Sequence, residues 1–239
     1  MQNTIRNFAR DIVGWALVPA AIRSLRAASS KVKTPDEAFS LAVGFGCCGI
    51  HITPGQHRSE ILQLLEILAR EPAKRVLEIG TAGGGTFFLF AHVAAPEAFL
   101  ISADLPQGMF GGGYPLWRCQ LIRSFARPGQ RIELLRTDSH APASLARIKE
   151  MLAGQPLDFL FIDGDHRYEG VKADFEMYSP LVRPGGWIAF HDIVPGPADE
   201  AGGVSVFWQE LKTRYPVQEF VQDWKQQGYG IGLLRKPEA

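Results

Sequence analysis

The chain has 239 residues, is 46% hydrophobic, and balances 25 basic against 25 acidic residues. That length supports one α/β domain with an appendage, and the neutral charge excludes a polyanion-binding surface as the first reading, so no nucleic-acid partner is expected. Three cysteines, two of them adjacent (Cys47 and Cys48), make neither a disulfide framework nor a zinc set, which favours a reducing compartment, the cytoplasm.

Residues 1–50 read as an N-terminal extension and 51–239 as the main domain. Within the extension, Ile5, Phe8, Ile12, Trp15, Ala16, Pro19 and Ile22 recur at helical spacing, flanked by Arg6 and Arg10 before and Arg23 and Arg26 after. The favoured reading is an amphipathic helix packed on the body or on a neighbouring subunit, and a homo-oligomer is expected. Interfacial membrane attachment is the second reading and a cleaved signal the third; the apolar core is too short to span a bilayer. Residues 29–57 show no period and read as a linker or a segment covering a site.

From residue 59 the pattern turns regular. SEILQLLEILAREP is an amphipathic helix with Ser59 as N-cap and Pro72 as stop. Strands are then expected at 74–80, 98–105, 131–139, 157–163 and 187–193. Helices are expected at 86–94, 117–126, 143–152, 168–182 and 204–215. A terminal pair of strands closes the chain. This alternation predicts a doubly wound, Rossmann-like, seven-stranded and mainly parallel sheet with an antiparallel C-terminal strand.

In such sheets ligands bind beyond the carboxyl ends of the strands. Those ends carry Gly80–Thr86, Asp104, Asp138–Ser139, Asp163–His166 and His191–Asp192. Gly80, Gly83, Gly84 and Gly85 form a loop between strand and helix, where a ligand can approach the backbone. The dinucleotide pattern G-x-G-x-x-G fails at Ala82, and the loop holds Glu78 with no lysine, which suits a cationic ligand better than a pyrophosphate. Asp104 ends the second strand, where a carboxylate can accept ribose hydroxyls.

VLEIGTAGGGT, SADLP, RTDS, FIDGDH and PGGWIAFHD, in this order, resemble the class I S-adenosylmethionine-dependent methyltransferases. More narrowly, they resemble the bacterial small-molecule and sugar O-methyltransferases of the macrocin O-methyltransferase and cephalosporin hydroxylase-like group. The likeness covers roughly residues 50–235. It implies that S-adenosylmethionine is the cofactor. It also implies that Glu78, Gly80, Thr81, Gly84 and Thr86 line the loop and methionine side, that Asp104 holds the ribose, and that Asp138 and Ser139 sit by the adenine. Asp163 then stands between cofactor and metal.

Asp163 and His191–Asp192 end strands expected to be neighbours, close enough to share one ion. Relatives that use Mg²⁺ carry an acid at the first position and an acid–amide or acid–acid pair at the second. His191 departs from that pattern: either it is a weak or outer ligand, or the ion is one that imidazole suits better, such as Mn²⁺, Fe²⁺ or Zn²⁺, or the metal has been dropped. His166 matches the position of a catalytic Lys or His in relatives and is expected to be the base. Asp165 stays open between orienting His166, ligating and capping a helix, while Arg167 and Glu169 read as solvated. The glycine-rich stretch 106–118 is expected to be a lid, with Tyr114, Trp117 and Arg118 as candidate substrate contacts. The expected reaction is methyl transfer to a hydroxyl of a small or glycosylated metabolite, with a divalent metal. An Fe²⁺-dependent oxygenase using His166, His191 and Asp163 is the alternative, and a non-catalytic module comes third.

Overall fold

The strands of this chain put apolar side chains on both faces, and the structure shows why. In a computed structural model describing residues 2–110, 112–197 and 202–238, with side chains from residue 11 onward, a seven-stranded sheet is covered by helices on each side. The elements are α1 (Gln2–Ser29), α2 (Pro35–Gly44), β1 (Gly46–Cys47), β2 (Ile50–His51), α3 (Arg58–Arg70), β3 (Arg75–Ile79), α4 (Gly85–Val93), β4 (Phe99–Asp104), α5 (Arg118–Arg123) and β5 (Arg131–Arg136). They continue with α6 (Pro142–Leu152), β6 (Leu157–Ile162), α7 (Tyr168–Tyr178), a 3₁₀ turn (Ser179–Leu181), β7 (Val182–His191), α8 (Gly202–Lys212), β8 (Val217–Phe220) and β9 (Ile231–Arg235).

The sheet order is β5-β4-β3-β6-β7-β9-β8. Strands β5, β4, β3, β6 and β7 pair in parallel, and β9 runs antiparallel to both neighbours. The Rossmann-like architecture expected above is the one observed. Alternate residues feed two cores: Val76, Leu100, Phe159, Phe161 and Ala189 face the layer that includes α1 to α4, while Leu77, Ile101, Leu160, Ile162 and Phe190 face α6 to α8. The chain leaves β3 toward β4 on one side and reaches β6 on the other. The strand order therefore reverses at β3 and β6, and their carboxyl ends open a crevice.

Residues 29–57 are not irregular throughout. Thr34 caps α2, accepting the Glu37 N–H at 3.2 Å while the Glu37 carboxylate accepts the Thr34 N–H at 3.2 Å. A two-stranded hairpin, β1–β2, follows. Helix α3 starts one residue before the expected cap, with His57 at the N-cap position.

The expected stripe on α1 does not face the body. Gly14, Val18, Ala21 and Leu25 are buried, whereas Ile12, Trp15, Ala16 and Pro19 are exposed and Ile22 is half-buried. The side chains of Ile5, Arg6, Phe8 and Arg10 lie outside the described residues. Among the described residues, no helix is long and apolar enough to cross a membrane.

Candidate active site

The carboxyl end of β3 sets the site. Gly80 has φ +85°, and a Cβ there would lie 1.9 Å from the Asp163 carbonyl oxygen. Only glycine lets β3 and β6 end this close together. Backbone hydrogen bonds continue across the junction, from Asp163 N–H to the Ile79 carbonyl (2.8 Å) and from Gly80 N–H to the Ala103 carbonyl (2.9 Å).

Asp104 fastens the loop that follows. Its Oδ2 accepts the Thr81 N–H (2.9 Å) and the Ala82 N–H (2.5 Å), and its Oδ1 accepts the Gly113 N–H (2.9 Å) from the stretch expected to be a lid. Burial raises the carboxyl pKa, and these three donors pull against it. Thr81 Oγ1 donates to Glu78 Oε2 at 2.6 Å and lies 2.7 Å from Ser102 Oγ.

Glu78 itself is fully buried beneath the loop and does not border the cavity. Burial lifts its carboxyl well above the usual range against the Thr81 hydrogen bond, with Asp163 and Asp104 adding to the lift, and Oε1 has no hydrogen-bond partner among the described residues. Gly84 is also off the cavity: with φ +86° it caps α4, and its Cα faces Ile122 and Phe125. Glu78 points away because a strand alternates its faces at every step, and Gly84 because it sits at the helix cap.

At the end of β5, Asp138 and Ser139 border the cavity. Asp138 Oδ1 accepts the His140 N–H (2.9 Å), and the Ser139 carbonyl accepts the Tyr178 hydroxyl (2.6 Å). His140 Nε2 lies 3.3 Å from Oδ1 of Asp174, a fully buried acid on α7. The Asp174 carboxylate raises the imidazole to about 9, against the pull of burial, and Nε2 also lies 3.1 Å from the Gly170 carbonyl.

The ends of β6 and β7 bring two imidazoles and two carboxylates together. His191 Nδ1 lies 3.2 Å from Asp163 Oδ1 and 3.5 Å from Asp192 Oδ2. His166 Nε2 lies 3.5 Å from Asp163 Oδ1, and its Nδ1 lies 3.3 Å from Asp192 Oδ2. The outer oxygens are also held: Gln56 Nε2 donates to Asp163 Oδ2 (3.0 Å), and Tyr229 N–H donates to Asp192 Oδ1 (2.7 Å). Gln56 Oε1 accepts from Thr86 Oγ1, so one side chain links α4 to the cluster.

Burial alone would raise Asp163 and lower His191. Their mutual attraction overrides it, so Asp163 is held below and His191 well above its ordinary value. One donor atom each from Asp163, His191 and Asp192 lies within 4.8 Å of the others. One half-buried and one buried carboxylate against a buried imidazole, whose Nε2 has no hydrogen-bond partner among the described residues, form a donor set that fits a divalent cation.

The two halves share one cavity of about 550 Å³, bordered by every residue singled out above as cofactor, metal or base except Glu78 and Gly84. Two further walls, and one buried acid behind them, were not legible as such. Phe110 stacks on His166, with ring centroids 4.7 Å apart and planes 24° from parallel. Tyr229 packs edge-on against His57 at 4.4 Å and His191 at 5.8 Å. Its φ of +59° is a conformation that bulky residues rarely adopt. Glu60, fully buried on α3, holds the segment carrying Tyr229 by accepting N–H groups from Gln222 (2.9 Å) and Gly230 (2.9 Å).

Other expectations shift. Arg118 donates to the Gly83 carbonyl (3.0 and 2.8 Å) and to the His51 carbonyl, clasping the glycine loop. Tyr114 is buried against Ser102, and Trp117 lies under α1 at Gly14. Arg167 is exposed, as expected, and pairs with Asp165 (2.9 and 2.5 Å).

Residues 77–193 match the family model described as Methyltransferase domain. The chain carries a methyltransferase domain. The uncharacterised protein y4gI of Sinorhizobium fredii is 26% identical over 166 residues, a match taking in 67% of this chain and 17% of that protein. The O-methyltransferase from Bacillus cereus in complex with SAH superposes with a TM-score of 0.58 at 19% identity, over 92% of this chain and 100% of that one. TomG from Streptomyces achromogenes, an O-methyltransferase of tomaymycin synthesis in complex with SAM, superposes with a TM-score of 0.57 at 17% identity, over 89% of this chain and 94% of that one. At such identities the likeness is one of fold. Gln56 and Tyr229, which line the cavity, and Glu60, which holds the segment carrying Tyr229, lie outside the matched methyltransferase domain.

Proposed function

We propose that this chain transfers a methyl group from S-adenosylmethionine to a hydroxyl oxygen of a small or glycosylated metabolite. The observation that carries this reading is the junction at Asp163. Its backbone lies against the glycine loop, and its carboxylate belongs to the imidazole–carboxylate cluster. A donor bound along the loop and an acceptor at the cluster would therefore meet in one cavity. The ligands named for the two structural neighbours, SAH and SAM, support the donor class.

Each group has a task on this reading. Asp104 anchors the ribose. Three of its roughly four acceptor positions are taken by N–H groups, so holding both ribose hydroxyls requires the Gly113 N–H to give up Oδ1. Asp138 and Ser139 flank the adenine. The sulfonium is already activated, so the protein supplies alignment and a deprotonated acceptor oxygen. His166 takes the acceptor proton, and the carboxylates beside both its nitrogens stabilise the imidazolium that results. Phe110 holds the ring in place. Asp163, His191 and Asp192 would hold a divalent cation, of a type that tolerates imidazole, whose chemistry is to orient the acceptor oxygens and lower the hydroxyl pKa.

The test has two stages. Calorimetry should detect binding of S-adenosylmethionine or S-adenosylhomocysteine, and the absence of both would end the proposal. Radiolabelled methyl transfer to a panel of diols and sugars, with Mg²⁺, Mn²⁺, Fe²⁺ or Zn²⁺, should then identify the acceptor class. His166→Ala should reduce turnover by roughly 10²–10⁴-fold while cofactor affinity stays unchanged. Full turnover in that variant would remove His166 as the base. One observation favours a second reading: both imidazoles face the same oxygen of Asp163, a set that iron-dependent oxygenation would also use. Oxygen consumption with Fe²⁺, without methyl transfer, would select it.

A further inference from the structure

Helix α1 is apolar on two opposite faces. The inward face is Gly14, Val18, Ala21 and Leu25, all buried. Contact there is close, because a Cβ on Gly14 would stand 2.5 Å from the Trp117 ring. That face accounts for the attachment of the helix to the body.

The outward face has no such role. Ile12, Val13 and Trp15 are 55%, 54% and 46% exposed, and Ala16 and Pro19 are exposed with them. At roughly 100° per residue, Ile12, Ala16, Pro19 and Arg23 fall within about 50° of the direction opposite the buried face. The apolar stripe thus ends in exposed Arg23, followed by exposed Arg26, Lys31 and Lys33, while Asp11 is the one acid between residues 11 and 33.

We infer that α1 lies flat on an anionic phospholipid surface. The helix presents Ile12, Ala16 and Pro19 away from the body, with Val13 and Trp15 exposed on either flank of that strip and cations following it, and it is not apolar enough to span a bilayer. Charge decides between lipid and a second copy of this chain. Two α1 helices laid face to face, parallel or antiparallel, would bring together the four cations of each copy with one acid apiece, Asp11, to offset them. A layer of anionic headgroups offsets all four cations while its acyl boundary takes Ile12, Val13 and Trp15.

The experiment uses the full chain and two vesicle preparations, phosphatidylcholine alone and phosphatidylcholine with about one third phosphatidylglycerol. Flotation should recover the protein with the anionic vesicles, and roughly tenfold less with neutral vesicles or at high salt. The double variant Ile12→Glu/Trp15→Glu should lose binding to both while its melting temperature and S-adenosylhomocysteine affinity stay as in the parent. Arg23→Glu/Arg26→Glu should lose the preference for anionic vesicles. Absence of flotation overturns the inference, as does flotation undiminished in the variants. Concentration-dependent self-association in sedimentation velocity, abolished by Ile12→Glu/Trp15→Glu without vesicle binding by the parent, overturns it too and gives this face to a second copy.

Discussion

Replacing Glu60 with Gln tests how the acceptor side of the cavity is held. Glu60 is fully buried on α3 and touches nothing in the cluster directly. Its Oε1 accepts from the Gln222 N–H (2.9 Å) and Gln226 Nε2 (2.7 Å), and its Oε2 from the Gly230 N–H (2.9 Å). A glutamine can keep one oxygen with two of these donors. Its amide NH₂ must then face the remaining donor, the buried Gly230 N–H. One charge-assisted hydrogen bond is lost, worth about 1.5–3 kcal/mol, and a buried donor is left unsatisfied at about 1–3 kcal/mol. These overlap, so Glu60→Gln should destabilise by about 2–4 kcal/mol. Chemical denaturation measures that value, and native-state hydrogen exchange should show faster exchange at Gln222 and Gly230 but not at Leu77 or Leu160 in the central strands. Because Tyr229 N–H holds Asp192, the acceptor KM should rise more than kcat falls. A variant within about 0.5 kcal/mol of the parent, with Gly230 still protected, would refute the argument, since surface-like substitutions have effects of that size.

Two further outcomes follow from other buried groups. The raised pKa of His140 means its pairing with Asp174 stabilises the fold in full below about pH 6.5, and this contribution fades as pH rises through about 9; melting temperatures across that window should fall in the parent, and His140→Gln should remove that component. Glu78 is held well above the usual carboxylate range, so its ionisation opposes folding as pH rises past its unfolded value; Glu78→Gln should be neutral or stabilising near pH 7 and change S-adenosylhomocysteine affinity by less than about threefold, whereas a large loss of affinity would show that an ionised Glu78 serves the ligand.

The parallel sheet was legible because its strands are buried on both faces. They read as apolar runs such as LDFLFI and end abruptly in Asp or Gly. The acids at those ends marked the crevice for the same reason. Helix α2 was missed although Thr34 and Glu37 spell its capping box, because ten residues between Pro and Gly carry too little period to register. On α1 the period was plain but its orientation was not, since apolar residues occupy both faces and the inward one is built from small Gly14 and Ala21. The ties of the site were beyond sequence reading. Gln56 reaches Asp163 across 107 positions, and Glu60 reaches Gly230 across 170. No local pattern encodes such partners; only the sheet order brings them together.

The placement of Gln56 and Tyr229 has a consequence for what the cluster can grip. Each holds the outer oxygen of one carboxylate, which turns a single inner oxygen of Asp163 and of Asp192 toward the two imidazoles. Neither acid is then positioned to chelate with both oxygens. On the proposed reading, an ion seated there has three protein atoms around it and at least as many vacant positions if it prefers six. An acceptor offering two neighbouring oxygens fills such vacancies better than one offering a single hydroxyl. Denticity, set by one glutamine side chain and one tyrosine amide, would thus sort diols from simple alcohols before any methyl group moves.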